Sequence, residues 1–138
     1  MKNVIIICAI AIGFCSCKKD AGEGGTSVIE GQVYKIHTFQ NSTTGEWDTS
    51  YFQLDSGKDI FIIYSDNEGE VYDDKFETDY NGRYHFEYLR KGDYTIYTYA
   101  DSTDVSMIRH DYPIFKQITI GSNNSTNKVD DFIIEKNQ

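Results

Sequence analysis

The sequence is short of what most functional classes require. It has one proline in 138 residues and 39% hydrophobic residues, so it is not a low-complexity disordered chain. It has no excess of base. Its 13 Lys+Arg stand against 22 Asp+Glu, a formal charge of −9, and a chain of that sign is repelled by phosphate backbones, which excludes nucleic-acid binding through a basic surface. Its apolar run at residues 4–14 falls short of the roughly 20 residues that a membrane-spanning helix needs. All three cysteines (Cys8, Cys15 and Cys17) precede residue 18, so the rest has no disulfide framework, thiol nucleophile or Cys-ligated zinc. Leucine occurs only at Leu54 and Leu89, and beyond residue 17 alanine occurs only at Ala21 and Ala100. Strong helix formers are therefore scarce, and no 12-residue stretch carries a 3.6-residue apolar period.

What is there begins with an address. Lys2 supplies a positive start, Val4–Phe14 an apolar stretch of signal-peptide length, and Cys15-Ser16-Cys17 ends it just before Lys18-Lys19. This resembles a bacterial lipoprotein signal, in which small residues precede a cysteine. Cys17 fits as the modified residue because Ser16 stands before it; Phe14 occupies the position where the family usually has an aliphatic residue. The resemblance implies a diacylglycerol thioether and an acylated amine on Cys17, and several chains at about 0.8 kcal/mol per buried CH2 make a stable anchor. Loss of residues 1–16 would remove Lys2 and no acid, taking the charge from −9 to −10. The expected organisation is a signal peptide over 1–16, a lipidated Cys and Gly-rich flexible tether over 17–27, and one domain over 28–138. The expected location is the outer membrane of a Gram-negative bacterium, its facing open between periplasm and surface.

The remainder is rich in Ile, Val, Thr, Tyr and Phe, arranged in short alternating runs between turn residues. Strands are predicted over 28–37, 46–54, 59–64, 71–78, 83–88, 93–100, 114–120 and 128–134. Asp59–Tyr64 is apolar on both faces, as in a central strand. Asn81-Gly82 predicts a tight hairpin between the fourth and fifth runs. Seven or eight strands with turns every 8–12 residues predict an all-β Greek-key sandwich.

One segment is more specific. Thr78-Asp79, Gly82, Tyr84, Phe86, Leu89, Gly92, Tyr94 and Ile96 resemble the T-D-x-x-G-x-Y-x-F-x-x-L-x-x-G-x-Y-x-V core of carboxypeptidase regulatory-like domains. These are grouped with Cna-B-like and transthyretin-like (prealbumin-like) sandwiches. Ile29, Gly31 and Val33 resemble that family's first strand. The resemblance loosely covers residues 28–135 and implies a prealbumin-like, Ig-like sandwich, with little said about function. Independently of it, Tyr84 and Phe86 share one strand face, Leu89 plugs the exit, Gly92 turns the chain, and Tyr94 and Ile96 return to the same core. Two long connections, residues 39–58 and 101–113, depart from a minimal domain, and loops are where function is commonly grafted.

Candidate chemistry is sparse. Acidic turns at 77–82 and 66–74 suggest calcium, but the first has Glu77 where an EF-hand loop needs Asp and Tyr88 where it needs Glu. His37, His85 and His110 fall on different elements, which argues against a zinc site. No G-x-S-x-G is present, so no enzyme, cofactor or metal is expected. Some Cna-B-like relatives carry a Lys–Asn isopeptide bond, for which Lys35 and Asn137 are the pair to name. The outward phase of the strands places Tyr88, Tyr97 and Tyr99, with Trp47 and Tyr80 as further members, where aromatic rings could stack on sugars. The same rings serve equally as cross-strand partners, or lie beneath residues 39–58. The expected function is a non-catalytic envelope module, structural or protein-binding, with carbohydrate binding through Trp47, Tyr88, Tyr97 and Tyr99 as the alternative.

Overall fold

A computed structural model describes residues 20–103 and 109–137. The signal sequence and Cys17 lie outside the described residues. Nine strands and no helix occur among them: β1 (Glu23–Gln40), β2 (Trp47–Leu54), β3 (Asp59–Ile63), β4 (Asp74–Glu77), β5 (Arg83–Leu89), β6 (Gly92–Thr103), β7 (Arg109–Ile120), β8 (Thr126–Lys128) and β9 (Phe132–Asn137). They form an all-β sandwich, as the pattern predicts. Sheet I is organised by β1. The first half of β1 pairs with β5 (antiparallel) and β8 (parallel), and its second half with β2 (antiparallel) and β9 (parallel). Sheet II runs β4-β3-β6-β7, antiparallel throughout.

The core lies between the sheets. Ile29, Val33, Tyr84, Phe86, Leu89 and Phe132 face inward from sheet I and its connections, and Ile60, Ile62, Tyr94, Ile96 and Ile120 meet them from sheet II. A side chain of this size contributes about 1.5–3 kcal/mol when fully buried. All five inward residues read from the 78–96 motif are buried: Tyr84, Phe86, Leu89, Tyr94 and Ile96. The motif's glycine in β1 has a physical reason. Gly31 stands opposite Tyr84 in the β1–β5 ladder, and the Tyr84 ring crosses directly over it. A Cβ on residue 31 would sit 2.3 Å from the Tyr84 hydroxyl. Only hydrogen at position 31 leaves room for the ring.

The predicted Asn-Gly hairpin does not form. A tight turn is present: Gly82 N–H donates to the Asp79 carbonyl, Asp79 N–H to the Arg83 carbonyl, and Asp79 Oδ1 accepts from the Asn81 and Arg83 amides. Only Gly82 of the Asn-Gly pair takes positive φ, at 66°, so the primed turn that twists two strands into one ladder is missing. The Gly82 carbonyl instead accepts from Val33 N–H, which draws β5 into sheet I. Asp59–Ile63 captures β4 for sheet II. The turn thus joins the two layers rather than two neighbours.

Several boundaries move. The first strand starts at Glu23 rather than Val28, so part of the expected tether is strand. Gly22 N–H donates to the Tyr94 hydroxyl at 2.9 Å, and its carbonyl accepts from Arg90 N–H at 2.9 Å, which docks the segment on the core. Residues 39–58 are not a free insertion, since β1 and β2 close over residues 41–46 as a hairpin. The connection at 101–113 is largely ladder, because β6 and β7 stay paired to Thr103↔Arg109. The last run divides into β8 and β9, bringing the strands to nine among the described residues.

Candidate functional site

Sheet II carries a cluster of aromatic side chains on its outer face. Alternation along β6 sends Tyr94, Ile96, Thr98 and Ala100 inward and Tyr97 and Tyr99 outward. Strand register then aligns Phe61 of β3, Tyr97 of β6 and Phe115 of β7 in one row across three strands. Phe61 stacks on Tyr97 with centroids 5.0 Å apart and planes inclined by 19°, and Tyr97 meets Phe115 at 5.2 Å. Tyr72 packs on Phe61 at 4.9 Å, and Tyr99 edges both Phe61 (5.9 Å) and Tyr97 (5.7 Å). Five rings therefore form one continuous surface. Its centre is closed and its rim is open: Tyr97 is 7% exposed, Tyr99 40% and Tyr72 46%. Burial, followed by the neighbouring Tyr99 and Tyr72 hydroxyls, raises the Tyr97 pKa. Lys75, opposite Phe61 on β4, ends the row, and its ammonium lies 3.1 Å from Asp59. Asp59 holds that ammonium in its charged form to higher pH than usual.

This arrangement unites two of the four expected aromatic residues. Tyr97 and Tyr99 are in the cluster, although Tyr97 is covered by its neighbours rather than open. Trp47 is on β2 of the other sheet, opposite Gln40, and Tyr88 ends β5 in a left-handed conformation with φ 58°. Both are well exposed, as is Tyr80 in the turn, and no ring contact joins any of the three to the cluster among the described residues. Phe61, Tyr72 and Phe115 were missed. Alternation in Asp59–Tyr64 and Ile114–Ile120 places Phe61 and Phe115 outward, but alignment with Tyr97 depends on strand order, a long-range property.

Sheet I shows the opposite kind of outer face. Lys128, Glu30 and His85 align across β8, β1 and β5, with Gln32 opposite Arg83 in the next row. With Glu87 they line a shallow cleft of about 610 Å³. The His85 ring lies 4.6 Å from Phe76, and its Nε2 is 3.7 Å from Glu87 Oε1.

The remaining candidates fall into place by their partners. Lys35 is ion-paired at 2.6 Å with the nearly buried Asp55 of the β2–β3 connection, whereas Asn137 stands opposite Thr38. Asp79 caps its own turn, Asp73 accepts from Tyr64 N–H, and Glu70 accepts from Ser65 and Asn67. His37 lies on β1, His85 on β5 and His110 on β7. No group of three or more metal-ligating side chains converges among the described residues.

No family model and no curated protein matches the chain. Among solved structures it is similar to a candidate carbohydrate-binding protein from Pseudomonas aeruginosa, at 17% identity over 84% of this chain and 92% of that one, with a TM-score of 0.49. It is also similar to the major pilin subunit of Bacillus cereus, at 23% identity over 83% of this chain and 30% of that one, with a TM-score of 0.41. It thus spans under a third of the pilin. Both likenesses are distant, and the fold assignment rests on the strand pairing above.

Proposed function

We propose that this chain is a non-catalytic binding module, held at the cell envelope by lipid on Cys17, whose sheet II outer face takes a carbohydrate. The observation that carries the reading is the five-ring surface built on the Phe61–Tyr97–Phe115 row. Flat ring faces match the apolar faces of pyranose rings, and the surrounding Tyr hydroxyls, Lys75 and Asp59 offer donors and acceptors to sugar hydroxyls. Closed contacts within the cluster hold the rings in place, so little side-chain entropy is lost on binding. The anchor is supported by the sequence alone, through the apolar stretch ending at Cys17.

A glycan array probed with the purified chain tests the reading. Binding should appear and should fall at least tenfold in Tyr72→Ala and Tyr99→Ala, the exposed rim residues. Absence of any glycan signal would defeat it. Replacing Cys17 with Ser should move the protein from the membrane to the soluble fraction; retention on the membrane would remove the anchor from the proposal.

A second reading, a protein-binding module, is favoured by one observation on the other sheet. Phe52, Leu54 and Ile133 are all exposed beside Tyr34, whose ring meets Phe52 at 4.6 Å. A cross-linker placed at residue 52 should then capture one defined envelope protein, and adding Leu54→Lys should abolish the capture.

A further inference from the structure

The sheet II platform is charged along its border, and carboxylates outnumber ammonium groups among its described side chains. Alternation places Asp59 on the same face as Phe61, and Glu77 directly opposite Asp59 in the β3–β4 ladder. Asp93 precedes Tyr97 on the outward phase of β6, and Asp111 precedes Phe115 on the outward phase of β7. Glu77, Asp93 and Asp111 are exposed. The Asp93 carboxylate accepts from the Thr119 hydroxyl at 2.6 Å and has no cationic partner among the described residues. Among the described side chains of β3, β4, β6 and β7 that face outward, the single cation is Lys75, already spent on Asp59 at 3.1 Å. Among the described side chains, four outward carboxylates therefore face one ammonium around five aromatic rings.

Two physical effects follow. A carboxylate-bearing ligand approaching the rings meets repulsion from these carboxylates and from a chain of net charge −9. A cation meets attraction from the same groups and from the ring faces, whose quadrupoles favour positive charge within about 6 Å of the centroid. We infer that the platform selects saccharides bearing a free amino group over neutral ones, and excludes uronic-acid and sulfated ones. This rests on the carbohydrate reading above and specifies its ligand.

The test compares three tetrasaccharides by calorimetry at pH 6 in low salt: glucosamine, its N-acetylated neutral counterpart, and a uronic acid of equal length. Glucosamine should bind roughly fivefold more tightly than the neutral sugar, as the two nearer carboxylates, Glu77 and Asp111, would give through water at about 9 Å. The uronic acid should bind weakest. The preference should shrink toward unity in about 0.5 M salt, where charges at this distance are screened. A double substitution Glu77→Gln and Asp111→Asn should lower the ratio of amino to neutral affinity at least twofold. Neutral sugar binding as well as glucosamine in low salt overturns the charge selection while leaving the carbohydrate reading standing. Failure of all three sugars overturns the carbohydrate reading itself. A lysine tetrapeptide that binds as tightly as glucosamine overturns the inference too, since charge alone would then suffice.

Discussion

The two sheets present different outer faces. Sheet I buries Tyr84, Phe86 and Phe132; outside, its first half carries Lys128, Glu30 and His85 and its second half the Tyr34–Phe52 pair. Sheet II fills its share of the core mainly with Ile60, Ile62, Ile96, Ala100 and Ile120 and sends Phe61, Tyr97 and Phe115 outward. Both sheets obey the same alternation and carry rings on both phases, so the difference lies in the row of rings that register aligns across three strands of sheet II. Rings inside a sandwich are explained by packing. Rings aligned in register on the outside leave a surface that packing alone does not require, and sheet II is therefore where function is sought.

Four measurements can break or sharpen that contrast. The largest effect is expected in sheet I. Gly31→Ala forces a methyl into the Tyr84 ring and should cost about 3 kcal/mol in denaturant unfolding, at the upper end for overpacking. A cost near zero would mean that the inward ring is not tightly held. In sheet II, Phe61→Ala should cost about 2 kcal/mol, less than a fully buried Phe because the residue is only partly buried. Lys128→Ala on the charged face should change stability by no more than about 0.5 kcal/mol. Equal costs at positions 61 and 128 would erase the distinction between the faces.

A third test uses the Tyr84 hydroxyl, which is buried without a hydrogen-bond partner. Burial first, and Asp131 second, raise its pKa above the ordinary value of about 10. A tyrosine with a raised folded-state pKa loses its proton more readily when unfolded. Its contribution is complete below about pH 10 and is lost as pH rises through the folded-state value. Tyr84→Phe should therefore flatten the alkaline fall in stability and gain about 1 kcal/mol at neutral pH by removing an unsatisfied group. A loss at neutral pH would show that the hydroxyl is satisfied in solution. The smallest effect is expected at Tyr88→Gly. The residue is exposed and left-handed, so glycine should stabilise the fold by somewhat under 1 kcal/mol.

The contrast also marks how far the sequence could be read. Alternation is local, so the inward set at Tyr84, Phe86, Tyr94 and Ile96 was legible, and so was the outward phase of Tyr97 and Tyr99. Strand order is not local. Whether Phe61 faces Tyr97 depends on β3 choosing β6, and whether Trp47 joins them depends on β2 joining β1 instead. The Asn81-Gly82 turn shows the same limit. Its residues specify a reversal, but the Val33–Gly82 hydrogen bond decides into which sheet the chain reverses.

The reach of β1 has a consequence for assembly. Its parallel partners β8 and β9 are supplied by the end of the chain, with Ser27 and Ser125 in hydrogen-bond contact across 98 residues. During synthesis the strand made first waits for the strands made last, and one flank of β1 stays open until then. Such high contact order slows folding and leaves an unpaired edge as a template for wrong partners. Folding that begins only once β8 and β9 have been made avoids that interval, because all three strands are then available together.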